Sequence, residues 1–400
     1  MWRHVVSNVL TLLVVALFLL GGAILWGQSQ YVAQGPHEAA ICLRVEPGSN
    51  MRRVSRQLEE AGAVTSGAIF RIGADYTDRA EDLKAGSWLI PERASMAEIT
   101  DILTRGGAST CGTEIVWRIG VTAVEVSVRE LDPATGRFVE QARFVPAGGA
   151  EGAEGAEGAE GMEGAEVPEA YATLRARADT RFRVSFAEGV TSWQAVEGLK
   201  AVEVLSGEVA AIPPEGSLAP DSYEVRAGDS RESVLERMRA AQEAILAAAW
   251  ENRAEGLPLA SPEEALILAS IIEKETGQPE ERGRVASVFV NRLRRGMRLQ
   301  TDPTVIYGLT EGRGVLGRGL RQSELRRATP WNTYVIDGLP PTPIANPGRA
   351  SIAAALNPEA TDDLYFVADG SGGHAFATTL DEHNRNVARW RRIEAERGAD

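Results

Sequence analysis

Two glutamates, Glu273 and Glu275, close the stretch "LILASIIEKETG" (266–277), which is otherwise almost wholly apolar. A carboxyl group held in apolar surroundings keeps its proton toward neutral pH. In that state it is a general acid of the kind that cleaves glycosidic bonds. Ser261 at the N-cap, Pro262 at N1 and Glu264 as the capping-box acid start a helix just upstream. A helix turns about 100° per residue, so Glu273 and Glu275 stand about 200° apart and cannot work as a close pair. Apolar residues cover nearly every side of this helix, so periodicity does not choose between the two. The ordinary alternative is a helix-end glutamate in a salt bridge, with Arg282 or Arg292 as partner.

Other polar side chains downstream could line a groove. "LQTDPTVIYG" offers Gln300, Asp302, Thr304 and Tyr307, with Asp302 and Pro303 also fitting the N-cap and N1 of a helix. "WNTY" sets Asn332 beside Trp331 and Tyr334, and "GGHAF" carries His374. Aromatic faces with amides suit sugar rings, although such patches also occur in plain cores. The four histidines show no zinc spacing, so neither a metal nor a cofactor is expected.

These residues need elements to position them. Residues 260–395 read as one domain: the helix bearing the glutamates, a second in "EERGRVASVFVNRLRRG", polar turns, and a closing helix in "LDEHNRNVARWRR". Upstream, 40–108 reads as a small αβ module: a strand in "ICLRVEPG", a helix with Met51, Val54 and Leu58 on one face and a serine N-cap, a strand in "GSWLIP", and a helix capped by Ser95 and Glu98. A looser copy of that order runs through 180–255. Between them, 109–147 alternates like a strand pair joined at "DPATG", and 148–167 is a Gly-Ala-Glu repeat expected to be a flexible acidic linker.

The N-terminus carries an apolar run from Val9 to Trp26, about the length that spans hydrocarbon, with no charged residue between Arg3 and Glu38. The expected topology is a tail over 1–6 in the cytoplasm, a transmembrane helix over 7–27, and the remainder exported. In an oxidising compartment Cys42 and Cys111 are permitted to bridge across the first module, and two free thiols are the alternative. The net charge of −14, without a basic stripe, argues against a nucleic-acid partner.

The block "ASIIEKET…RVASVFVNRLRRGMRLQTDPTVIYG…TPWNTYVIDGLPPTPIANPG…LYFVADGSGGHAF…HN" resembles the catalytic domain of the endolytic murein transglycosylases, the MltG/YceG-like family. The likeness runs from about Leu266 to the C-terminus. It implies an α+β fold: a membrane anchor, LysM-like αβ modules and a C-terminal mixed α/β domain. It implies cleavage of the MurNAc-β-1,4-GlcNAc bond inside peptidoglycan strands, closing 1,6-anhydro ends without water. It assigns the single acid, later base, to Glu273, and substrate contacts to Gln300, Asp302, Thr304, Tyr307, Asn332, Tyr334 and His374. It also implies a single-pass protein of the bacterial inner membrane, with its catalytic domain in the periplasm and the peptidoglycan synthesis machinery as partner. A water-using hydrolase with Asp302 as second carboxylate, and a non-catalytic wall-binding scaffold, are the alternatives.

Overall fold

The computed structural model describes residues 2–146 and 169–397; the acidic repeat expected as a linker lies outside them. The chain divides into two compact units. One holds Met1–Ile115, Val128–Ala142 and Val167–Arg181, and the other Val116–Ser127, Arg143–Glu166 and Phe182–Asp400.

The first unit opens with α1 (Trp2–Val32), longer at both ends than the expected span. Its stretch Asn8–Val32 is long and apolar enough to cross a membrane, and side chains such as Leu12, Phe18 and Leu19 are exposed along it. The last turn packs instead: Tyr31 is buried and its hydroxyl donates to Thr100 Oγ1 at 2.8 Å. Its ring lies over Gly73, where a Cβ would come within 2.3 Å of it. Then follow β1 (Ile41–Val45), α2 (Met51–Glu60), α3 (Gly67–Tyr76), β2 (Gly86–Ile90) and α4 (Met96–Arg105). β1 and β2 are antiparallel, Ile41 opposite Ile90. The cap of α2 is Asn50, whose Oδ1 accepts from the Arg53 amide, rather than the expected serine. Helix α3 has no counterpart in the sequence reading, because two glycines in "GAIFRIGADY" weaken its intrinsic preference. Ser66 caps it, and burial of Phe70 and Ala74 holds it in place. Ser95 and Glu98 close the capping box of α4 as the sequence suggests. Cys42 and Cys111 are disulfide-bonded, across a separation of 69 residues.

Where a strand pair was expected, three strands form: β3 (Thr113–Ile119), β4 (Val124–Asp132) and β5 (Arg137–Phe144). The β4–β5 turn is at "DPATG", where both carboxylate oxygens of Asp132 accept bonds, from the Ala134 amide and the Thr135 hydroxyl. After α5 (Glu169–Arg175) come β6 (Arg181–Phe186), α6 (Ser192–Lys200), β7 (Ser222–Val225) and α7 (Arg231–Glu251). The strands form a five-stranded sheet of order β5-β4-β3-β6-β7. Strands β6 and β7 are antiparallel, Phe182 opposite Val225, which repeats the strand–helix–strand–helix order of the first module without a counterpart of α3.

The C-terminal part of the second unit holds α8 (Pro262–Glu275), α9 (Arg282–Arg294), α10 (Asp302–Thr310), α11 (Gln322–Leu325), α12 (Arg349–Leu356), β8 (Tyr365–Ala368), β9 (His374–Ala377) and α13 (Leu380–Arg397). The chain is thus a mixed α+β protein with one N-terminal apolar helix. Leu268, Ile271 and Ile272 of α8 pack with Val285 and Phe289 of α9 and with Ile352 and Leu356 of α12, all buried. Each such side chain contributes about 2 kcal/mol by leaving water, and this makes α8 a rigid support for its own C-terminal end.

Candidate active site

Helix α8 presents its two glutamates to different neighbours. Glu273 Oε2 accepts the Gly348 amide at 2.8 Å. Gly348 is the N-cap of α12, and Glu273 satisfies the backbone N–H at the start of that helix. No other hydrogen bond is made by the Glu273 carboxyl among the described residues. Between the two, Lys274 reaches the Gly189 carbonyl at 3.2 Å, and burial pulls its ammonium below the usual lysine range.

Glu275 faces the other way. The Thr301 hydroxyl bonds its Oε1. Burial pushes its carboxyl up to about 7; the Asp302 charge adds to that rise, while the Thr301 bond, His374 and Arg292 oppose it. The expectation of a carboxyl kept protonated by burial at the end of this helix is therefore realised at Glu275. Among the described residues neither glutamate forms the salt bridge of the ordinary alternative. Arg292 spends its guanidinium on the carbonyls of Leu364, Arg298 and Leu299.

The other candidate residues divide among three settings. Asp302, Tyr334 and His374 gather on the Glu275 side. The Tyr334 hydroxyl donates to Asp302 Oδ1 at 2.6 Å, and the Asp302 and His374 charges both act on Glu275. His374 is tied to Glu281 twice, ring Nδ1 to Oε2 at 2.6 Å and backbone amide to Oε1 at 2.8 Å. A carboxylate only accepts, so Nδ1 carries the proton of that bond. Gln300, exposed beside Thr301, has φ +50°, a strained backbone state of the kind that concentrates at functional sites.

A second group is buried and bonded internally. Thr304 donates to the Thr301 carbonyl at 2.7 Å and lies 2.8 Å from the Thr333 hydroxyl. Asn332 gives its amide to the carbonyls of Glu324, Leu325 and Arg327. These contacts fasten the "TDPT" and "WNTY" segments to their surroundings. Asp302 is the first residue of α10 and not its cap; Thr301 stands at the cap position, with its hydroxyl given to Glu275. In the third setting, Tyr307 packs edge-on against Trp331 and donates to Glu215 Oε2 at 3.2 Å.

The model of the YceG-like family matches residues 160–389, more than half of the sequence. The chain belongs to the YceG-like family. It is similar to the endolytic murein transglycosylase of Bacillus subtilis, 45% identical over 120 residues, which is 30% of this chain and 32% of that one. It is also similar to the endolytic murein transglycosylase of Streptococcus pneumoniae, 27% identical over 359 residues, 87% of this chain and 58% of that one. The chain therefore spans less than two thirds of the length of these relatives. Among solved structures, a YceG-like protein of Listeria monocytogenes aligns over 87% of this chain and 99% of its own, at 24% identity and a TM-score of 0.43.

Sequence reading of this YceG-like chain missed three polar residues. Glu215 is half-buried, with its carboxyl pushed up by desolvation, and accepts from the Ser192 amide at 2.8 Å. Asn346 binds the Val190 carbonyl through Nδ2 at 2.9 Å and the Leu218 amide through Oδ1 at 3.0 Å. Glu188 lies against Gly348, beside the Glu273 carboxyl. The one available signal for Glu188 was its place before Gly189 at a strand end, which echoes Glu46-Pro47-Gly48 in the first module.

Proposed function

We propose that this chain is a membrane-anchored peptidoglycan lytic transglycosylase that cuts inside glycan strands, with Glu273 as its acid and base. The reading rests on membership of the YceG-like family, on relatives named endolytic murein transglycosylases, and on the likeness of the "EKET" segment to the family motif. The observation that carries it is a helix-end carboxyl fixed through one oxygen by a backbone amide, with its other oxygen unengaged. That oxygen is available to the bond being cleaved, which is the geometric requirement for a general acid. Protonated Glu273 gives its proton to the glycosidic oxygen as the bond to C1 breaks. The carboxylate then takes the proton of the muramyl C6 hydroxyl while O6 closes on C1, which returns the enzyme to its starting state. One carboxyl suffices, and water takes no part.

One observation favours a second reading, in which Glu275 is the acid. Its carboxyl, pushed up to about 7, is half protonated near neutral pH, and Asp302, Tyr334 and His374 gather on its side. Against it, Glu275 is engaged by Thr301 within the packing of α8 and α10. The two readings separate on isosteric variants assayed on purified glycan strands. E273Q is expected to lose cleavage by about a hundredfold or more, with E275Q retaining most of it. The reverse pattern assigns the chemistry to Glu275.

Gln300, Asp302, Tyr334 and His374 are proposed to contact the sugars, with Tyr307, Thr304 and Asn332 holding the segments that carry them. The αβ module over 40–108 is proposed as a LysM-like glycan-binding unit. Helix α1 is proposed to cross the inner membrane once, its N-terminus cytoplasmic, placing the site in the periplasm near nascent strands and the machinery that makes them. The oxidising compartment this requires suits the Cys42–Cys111 bridge.

A further inference from the structure

The C-terminal end of α1 is mounted on α3, on α4 and on the turn between β2 and α4. The Tyr31 hydroxyl donates to Thr100 Oγ1 of α4 at 2.8 Å, and the Tyr31 ring lies over Gly73 of α3. Just beyond the helix, the Gly35 amide donates to the Arg93 carbonyl at 3.0 Å, and the Arg93 amide donates to the His37 carbonyl at 2.9 Å. His37 is buried, with its Nε2 at 2.5 Å from the Pro91 carbonyl. Gly35 leaves no room for a Cβ against the Ala94 carbonyl, so the chain runs pressed to this turn. Helix and module are thereby held in one orientation, which a flexible tether would not impose.

The mount also sets a height. Tyr31 stands five residues beyond Trp26, the last residue of the apolar run. At 1.5 Å per residue this is about 7.5 Å along the axis. The interfacial layer outside the hydrocarbon is roughly 5–7 Å deep on each side, so the docking point on α3 comes to the level of lipid headgroups. Phe70 and Ala74 are buried on one face of α3. On the other face Ile72 and Tyr76, four residues apart and so neighbours on the helix, are 64% and 84% exposed. Outside α1 they are the most exposed large apolar side chains among the described residues. One lies next to Gly73 in sequence and the other three residues on, so both adjoin the residue beneath the Tyr31 ring. A lone exposed apolar side chain is ordinary at a protein surface. Two that adjoin each other and the foot of a membrane-length helix form a patch continuous with that helix.

We infer that the outer face of α3 lies in the headgroup layer of the bilayer that α1 crosses, with Ile72 and Tyr76 inserted as its apolar contacts. The inference rests on the proposal that α1 spans the membrane. Lipid suits this face better than a protein partner, because headgroups already fill the space at that height. Tyrosine concentrates at this level, where its ring meets the acyl chains and its hydroxyl meets water. The charges around Tyr76 are of both signs, Asp75, Asp78 and Arg79, so the contact is apolar and does not call for anionic lipid. Held by α1 and by α3, the first module lies against the membrane and does not swing away from it.

The disulfide consumes both native cysteines, so one introduced cysteine carries a unique label. Full-length I72C, Y76C and F18C, each bearing an environment-sensitive fluorophore, are reconstituted into phosphatidylcholine vesicles. The vesicles carry a nitroxide quencher either at the headgroup or deep in the acyl chain. The labels at 72 and 76 are expected to lose roughly half of their emission to the headgroup nitroxide and little to the deep one. The label at 18, inside the apolar run, is expected to respond to the deep one. Labels at 72 and 76 that neither nitroxide quenches, with the label at 18 quenched, overturn the inference and leave the span of α1 standing. No quenching at any of the three positions overturns the span, and the inference with it. The two positions on α3 are labelled in separate proteins, so a fold lost at one, read from its Tm, leaves the other to decide.

Discussion

At the scale of single residues, one helix end carries two carboxyl groups with different chemistry. Glu275 is half-buried against Thr301, and its proton affinity exceeds that of the same group in the unfolded chain. The folded state therefore binds more protons between the ordinary glutamate value of about 4.5 and about 7, and stability is lost as pH rises through that window. The full effect is on the order of 3 kcal/mol. We expect the wild-type Tm to fall from pH 5 to pH 8 more steeply than that of E275Q, as followed by calorimetry at matched ionic strength. Parallel pH profiles of the two proteins would remove burial as the cause. Geometry at this scale was partly legible beforehand. Helical pitch places Glu273 and Glu275 on opposite faces, and they indeed meet different partners. Which of them would be desolvated was not legible, because Thr301 and Asp302 reach Glu275 only once α10 packs against α8.

At the scale of elements, the site depends on segments that join distant parts of the chain. Asn346 holds the Val190 carbonyl and the Leu218 amide from inside the second unit. Replacing it with alanine leaves both less satisfied in a buried place, at a cost of about 2–3 kcal/mol. N346A is expected to lower the free energy of unfolding from urea titration by that amount and to reduce activity by loosening the turn at Val190. An unchanged midpoint would show that these bonds are worth little. Helices with strong caps were readable from sequence: Ser261 starts α8 and Ser95 starts α4, because local hydrogen bonds decide those ends. Helix α3 and the third strand before the acidic repeat were not, since packing decides them. Phe70 and Ala74 override the two glycines of α3, and β3 takes its place beside β6 in a sheet that neighbouring residues do not announce.

At the scale of the whole molecule, the chain joins an apolar helix, a bridged αβ module and the YceG-like region. Cross-linking Cys42 to Cys111 removes closure entropy from a loop of 69 residues, worth about 4 kcal/mol to the unit that holds it. Reduction of the full-length protein, or C42S/C111S, is expected to lower the Tm of that transition, and identical melting with and without reductant would contradict the estimate. Deleting residues 2–30 is expected to release the protein from membranes at alkaline pH without loss of glycan cleavage in detergent. Retention of the shortened chain would move the anchor elsewhere. The central claim is that the glycan bond is cut without water. It is tested most directly by digesting purified glycan strands in water enriched in oxygen-18 and weighing the products by mass spectrometry. The account predicts 1,6-anhydro-MurNAc ends that carry no heavy oxygen, and reducing ends that gain one heavy oxygen would contradict it.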